Sequence, residues 1–228
     1  MTNIDDVIEK VRQILLVASR SDKPGEIDAA QRMAQKLVTK YQIEEAQLNG
    51  RVKSDDIIGV RIDAPGAFTM EKSILLNSIA KHNFCKVLRG ADYIMIYGYT
   101  SDIDLCLSIY NSLVVHMVTE MQNKLVKVKE ESKGKVHSKA WTASFFSGYC
   151  VTIDHRLREV KATTINDMAQ SSNSVALVVK DKQHAVEEHF QNINKAKSSK
   201  RTASSPTGYF AGSDSAKTAD LQHKRIKE

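Results

Sequence analysis

Residues 85–98, CKVLRGADYIMIYG, decide the fold class. CKVLRG and DYIMIYG are short runs rich in β-branched and aromatic residues. Gly90, Ala91 and Asp92 lie between them, so the stretch reads as two strands joined by a tight turn. Just upstream, DIIGVRI (56–62) alternates like a third strand, and MEKSILLNSIAKH (70–82) carries helical spacing. The order β-α-β-β sits in a chain whose other segments read mostly as helices. The expected fold is α+β and helix-dominated, an N-terminal αα-hairpin plus a small β-α-β-β sheet unit packed by long helices.

In residues 4–18, Ile4, Val7, Ile8, Val11, Ile14, Leu15 and Ala18 recur at steps of three and four. SRSDKPGE breaks that helix, Pro24 suits the first turn of the next, and Ile27, Ala30, Ala34, Leu37 and Tyr41 continue the period. This divides the chain into a hairpin over 1–50 and an α+β domain over 51–228. A long helix is expected from about 101 to 130, with Ser101 as its cap and Asp104 as the acid of a capping box. Leu105, Ile109, Leu113, Met117, Met121, Leu125 and Val128 form its stripe. KEESKGK then reads as a polar loop. A second long helix starts near Ser138 with Trp141, Phe145, Tyr149, Ile153 and Leu157 four apart. SVALVVK (174–180) reads as a buried strand, KQHAVEEHFQNIN as a short helix, and SPTGYFAGSDSAKTADLQHKR as a terminal helix. The small residues Gly208, Ala211, Gly212 and Ser215 would let another helix approach that last one closely.

With 228 residues, 42% apolar and 26% charged, the chain has the composition of an ordinary globular protein. MTNIDDVIEK lacks the basic and apolar regions of a signal peptide. No apolar run reaches the roughly 18 residues of a membrane span, so a cytoplasmic protein is expected, in the host cytoplasm if phage-encoded. Cys85, Cys106 and Cys150 are widely spaced in apolar company and read as reduced core thiols.

VRQILLVASRSDKPGEIDAAQRMAQKLVTKY carries Val11, Arg12, Leu15, Leu16, Ala18, Glu26, Ala29, Ala30, Ala34, Leu37, Lys40 and Tyr41 in an ordered pattern. It resembles the N-terminal hairpin of the bacterial and phage family called domain of unknown function 2786. Val38 stands where methionine is usual, and Ile27-Asp28 is inserted before the alanines. WTASFFSGYCVTIDHRL and TGYFAGSDSAKTADL resemble the companion region that follows the hairpin in that family. The family brings no established activity, and the resemblance implies a phage or mobile-element setting.

Spacing argues against the obvious catalytic patterns. His184 and His189 in HAVEEH are five apart, about 140° around a helix, unlike the HExxH pair. Asp102 and Asp104 point about 200° apart and read as helix-capping acids, with metal-assisted phosphodiester hydrolysis as the alternative. His82 and Cys85 are three apart without a third orienting group or oxyanion loop. GSDSA is not a nucleophile elbow, and there is no phosphate-binding glycine loop. No catalytic residue, metal ligand or cofactor is assigned.

Charge is more informative. Residues 1–50, 51–133 and 134–228 carry net −1, +1 and +6. NKAKSSKRTASS (194–205) holds Lys195, Lys197, Lys200 and Arg201, followed by Tyr209 and Phe210. Arg156, Arg158 and Lys161 lie on the polar face of the second long helix. Cations near aromatic faces suit backbone contact and base stacking on DNA or RNA, and a solvated loop is the plainer account. The expected function is a non-enzymatic nucleic-acid-binding accessory protein of phage type. Alternatives are an interaction protein that inhibits a host or defence enzyme, and a metal-dependent nuclease or hydrolase. Oligomeric state is left open.

Overall fold

The computed structural model describes residues 4–18, 24–48, 56–64, 68–171, 174–193 and 204–219. Helices α1 (Ile4–Ala18) and α2 (Pro24–Leu48) form the hairpin. Strand β1 (Ile58–Asp63), helix α3 (Thr69–Ala80) and strands β2 (Lys86–Arg89) and β3 (Tyr93–Gly98) follow. Helices α4 (Thr100–Glu131), α5 (Ser138–Ser171), α6 (Ser174–Ile193) and α7 (Pro206–Thr218) complete the chain. The protein is a helix-dominated α+β fold with a small antiparallel sheet of order β1-β3-β2.

The register follows from alternation. Ile94 and Ile96 of β3 are fully buried and pair across with Ile62 and Val60 of β1; Val87 of β2 also faces Ile96. On the opposite face, Arg61 stacks its guanidinium on Tyr93 and Tyr97 meets Phe190 of α6 edge-on at 5.8 Å. A one-residue slip would exchange these two sets, so the buried isoleucines fix the pairing.

Helix α5 is the spine, packing against α2, α3, α4, α6 and α7. Trp141, Phe145, Tyr149, Ile153 and Leu157 are all buried, with Phe145 stacked on Trp141 at 5.5 Å and on Tyr149 at 6.3 Å. Val7, Val11, Ala34 and Val38 of the hairpin join the same core as Leu75, Ile96, Leu113 and Phe145. Helix α7 lies parallel to α5, with Gly208 against the Trp141 backbone, Gly212 against the Phe145 carbonyl, and Gly148 against Tyr209 and Ser213. Thr152 and Ser213 share a hydroxyl hydrogen bond of 2.9 Å along the same seam. The small residues of the terminal helix therefore admit α5, as their spacing leads one to expect.

Two local expectations fail. SVALVVK is not a strand but the first turns of α6. Val175, Val179, Lys182 and Val186 are buried at helical spacing while Leu177 is 61% exposed, so the helical face overrides β-branched propensity. Helix α4 begins one residue early, with Tyr99 at the N-cap and no side-chain cap bond, so Ser101 is not the cap.

The α5–α7 seam predicts that Gly212→Val costs about 1–3 kcal/mol or more in urea unfolding, because any Cβ there collides with a carbonyl that cannot move without bending α5. The same substitution at Gly134, which has open space around it, should cost only what its φ of 78° demands.

Candidate functional site

Five consecutive residues, Lys81-His82-Asn83-Phe84-Cys85, connect α3 to β2 and between them engage partners on four helices. Phe84 adopts a left-handed φ of 53°, rare for an aromatic residue, and this turns the chain from helix into strand. Lys81 Nζ and His82 Nε2 both lie 2.6 Å from Asp154 Oδ1 of α5, and Arg158 donates to Oδ2 at 2.9 Å. Burial pulls the Asp154 carboxyl upward, but its hydrogen bonds from Lys81, His82 and Arg158 outweigh that and hold it below the usual carboxylate range. His82 is lowered because its burial outweighs the same carboxylate. Asn83 accepts from Gln35 of α2 at 3.1 Å and donates to the Ile79 carbonyl at 2.9 Å. Cys85 faces Cys106 of α4, and burial first, with that neighbouring thiol adding to it, drives its thiol well above the ordinary value.

Phe84 is roofed by two amines. Lys182 Nζ of α6 lies 5.1 Å from the ring centroid and is bound to Asp102 at 2.9 and 2.8 Å, a pair with side-chain exposures of 5% and 0%. Lys161 Nζ of α5 lies 3.9 Å over the ring and has no hydrogen-bond partner among the described residues. Desolvation, with the Lys182 charge adding to it, brings Lys161 down to about 8 even though Asp102 pulls the other way. Burial and the charges of Asp102 and Asp56 push the Tyr99 phenol up to about 12.

This geometry revises several sequence expectations. Asp102 is not a solvated capping acid, and with both oxygens on Lys182 in a closed interior it does not form an open metal site with Asp104. No group of three metal-ligating side chains occurs among the described residues. Lys161 is 6% exposed and cannot contribute to a surface patch. Arg156 is half-buried and spends its guanidinium on the Ala216 carbonyl of α7 at 2.5 Å, and Arg158, still exposed, donates one hydrogen bond to Asp154. Tyr209 is half-buried on the α5–α7 seam, whereas Phe210 is 65% exposed. Lys195, Lys197, Lys200 and Arg201 lie outside the described residues. His184 and Glu188, and separately His155 and Glu159, form solvent-exposed pairs on their helices. Met33 is a large exposed apolar side chain of the hairpin.

A basic feature that the sequence reading passed over lies at the α4–α5 turn. Residues 124–139 hold Lys124, Lys127, Lys129, Lys133, Lys135 and Lys139 against Glu130 and Glu131. Helix α4 closes with Gly134 N–H donating to the Lys129 carbonyl and Lys133 N–H to the Glu130 carbonyl, the pattern of a Schellman motif with Lys133 in the left-handed position. His137 Nδ1 accepts from Ala140 N–H at 3.2 Å and starts α5. Lys127, Lys129, Lys133, Lys135 and Lys139 are exposed, with no ion-pair partner among the described residues. Lys124 reaches across to the Ala211 carbonyl of α7 at 3.3 Å. Ser204 and Ser205 N–H groups both donate to buried Ser144 Oγ of α5, pinning the start of α7 at this end of the bundle. Dividing the charge count at residue 133 splits this lysine run in two, which is why the count along the chain hid it.

Between α3 and α5 runs a cavity of about 290 Å³, lined by Ile74, Ser78 and Lys81 on one side and Phe146, Ser147 and Cys150 on the other. Its Asp154 end is the ion network of the five-residue segment. No helix among the described residues is long and apolar enough to cross a membrane. No family model, curated protein or solved structure matches this chain.

Lys161 sets a pH dependence with a definite sign. Between about 8 and its ordinary value near 10.5, the unfolded chain holds a proton that the folded chain has released, so stability rises with pH across that window. Below pH 8 both states are protonated and the full penalty of the buried charge applies. The buried Cys85 and Cys150 thiols, raised by burial, pull the other way once their unfolded forms ionise near pH 9, so the effect is read below that: chemical unfolding from pH 7 to about 9 should show the upward slope, and Lys161→Met should flatten it while stabilising the protein at pH 7. An unaltered slope in that variant would place its origin elsewhere.

Proposed function

We propose that the protein binds the sugar-phosphate backbone of DNA or RNA through the lysine-rich end formed by the α4–α5 turn and the start of α7, acting as a non-enzymatic accessory protein. The observation that carries this reading is the set of five exposed lysines without ion-pair partners among the described residues, around a turn closed by the Gly134 and Lys133 backbone hydrogen bonds. The helix dipole favours Lys129 in the last turn of α4 but not the whole set. Lys139 lies in the first turn of α5, where the helix dipole disfavours a cation and no acid is present to compensate. Like charges this close repel one another, a cost that a polyanion removes by replacing condensed counterions.

Phe210 adds the second element. Its ring is 65% exposed, on the residue before the Ala211 carbonyl that Lys124 holds. An exposed ring beside a cationic surface stacks on an unpaired base without sequence preference. Arg201 precedes Ser204 by three residues in sequence. The phage or mobile-element setting implied by the hairpin's resemblance agrees with such a role.

Fluorescence anisotropy with labelled single-stranded and duplex DNA and RNA at low salt tests the proposal. Binding should weaken with salt. Each Lys→Gln change among Lys127, Lys133 and Lys135 should reduce the slope of log affinity against log salt by about 0.7–0.9. Phe210→Ala should weaken single-strand binding by about 1–3 kcal/mol and leave duplex binding nearly unchanged. Absence of binding at low salt, or unchanged affinity in the triple lysine variant, would overturn it.

A further inference from the structure

The cavity between α3 and α5 has a chemistry of its own, at the far side of the five-residue segment from the buried Lys161. Phe68 packs on Phe146 at 5.1 Å, and His82 meets Asp154, so the two helices run parallel with the cavity along their seam. From Glu71 to Lys81 the α3 wall spans ten residues, roughly 15 Å of helix. A volume of about 290 Å³ spread over that length makes a narrow channel rather than a round chamber. It is near the lower limit for small-molecule sites and well above the 150 Å³ that suffices for benzene.

Its middle is apolar, with Ile74 and Phe146 on the walls and the high-pKa, unreactive Cys150 thiol beneath. Ser78 is 7% exposed yet lines the channel, and its hydroxyl, like that of Ser147, has no hydrogen-bond partner among the described residues. The channel opens to solvent beside exposed Asn77 and Val151.

The two ends differ in charge. At one end Lys81 and Arg158 are cations sharing the single carboxylate of Asp154, and burial keeps His82 on the neutral side. One positive charge is left over. Lys81 is 44% exposed and Arg158 62%, so either can reorient its ammonium or guanidinium toward a newcomer without leaving Asp154 uncompensated. At the other end stands Glu71, which disfavours an anion there.

We propose that this channel binds a small linear monocarboxylate, an unbranched aliphatic acid of medium length, with its carboxylate at the Lys81–Arg158 end and its chain along Ile74 and Phe146. Narrowness selects the unbranched chain. The surplus cation selects the carboxylate, and the Ser78 hydroxyl, one turn before Lys81, satisfies one of its remaining lone pairs or a bridging water. The occupant also bears on the fold, because Lys81 belongs to the segment that gathers α2, α4, α5 and α6. A carboxylate drawing on Lys81 and Arg158 would tighten the α3–α5 seam and stabilise the folded state by mass action. This site is separate from the lysine-rich end and stands whether or not nucleic acid binds there.

The experiment is isothermal titration and thermal unfolding of the full chain with octanoate, octylamine, octanol and the branched isomer 2-propylpentanoate, all below micelle-forming concentrations. Octanoate should bind saturably at one site and raise the melting temperature, with octanol and 2-propylpentanoate at least tenfold weaker and octylamine inactive. Lys81→Ala should weaken octanoate at least tenfold. Ser147→Phe, which fills the channel from its rim, should abolish binding with an unchanged circular dichroism spectrum. If Ser147→Phe fails to fold, Ser147→Leu and Val151→Phe serve as independent fillers. No saturable octanoate binding, equal response to octanol, or binding that survives both Lys81→Ala and a folded filler variant would overturn the proposal.

Discussion

The contact on which the rest of the structure depends is the backbone-to-backbone approach of α5 and α7. Side chains ordinarily hold helices 8–10 Å apart; here Gly148, Gly208 and Gly212 remove them, and the chains touch at Phe145 and Tyr209. Without a side chain to bury, such a seam gains its stability from close dispersion contact and from shared polar groups. The Thr152–Ser213 and Arg156–Ala216 bonds supply the latter. Because α5 also carries the aromatic ladder and meets five other helices, fixing α7 against it fixes the end at which the α4–α5 turn, the start of α7 and their lysines assemble.

The interior solves a second problem, the placement of charge. Asp102, Asp154, Lys161 and Lys182 are all buried in a chain with ample apolar material, and each charge costs several kcal/mol to desolvate unless paired. Three of them are paired. The segment from Lys81 to Cys85 makes the pairing possible, because consecutive residues turning through Phe84's left-handed conformation can point to α2, α4, α5 and α6 in succession. Lys161 alone keeps no partner among the described residues, and aromatic contact with Phe84 compensates part of its cost. Replacing a buried pair by apolar groups is often neutral for stability, so the Asp102–Lys182 pair is better understood as fixing how α6 docks than as a source of stability.

The elements legible in the sequence were those with a repeating physical signature. Helical stripes over α1, α4 and α5, the turn around Gly90 and Asp92, and the small residues of α7 all appear where local pattern and tertiary packing agree. Residues 174–180 misled because four valine and leucine positions within seven residues satisfy a buried strand as well as a helical face, and only burial of Val175, Val179 and Lys182 together decides. The polar hub was illegible for another reason. Asp102 and Lys182 are 80 positions apart, and His82 and Asp154 are 72. Nothing local distinguishes Lys161 from the exposed lysines, since an interior face and a solvent face of α5 carry the same residue types.

Charge counted along the chain and charge counted in space give different answers, and the difference matters for function. Along the chain the excess is +6 in the last third, and it includes Arg156, Arg158 and Lys161. In space Arg156 and Lys161 are taken up by the Ala216 carbonyl and the Phe84 ring, while Arg158 stays exposed and shares Asp154 with Lys81 and His82. The α4–α5 turn takes their place, with six lysines against two glutamates from 124 to 139. A cation engaged with an interior group has already traded its hydration for that contact and gains little from a phosphate, whereas a solvated, mutually repelling set gains by every counterion released. The electrostatic footprint is therefore set by which lysines the fold leaves unspent rather than by where they cluster in sequence.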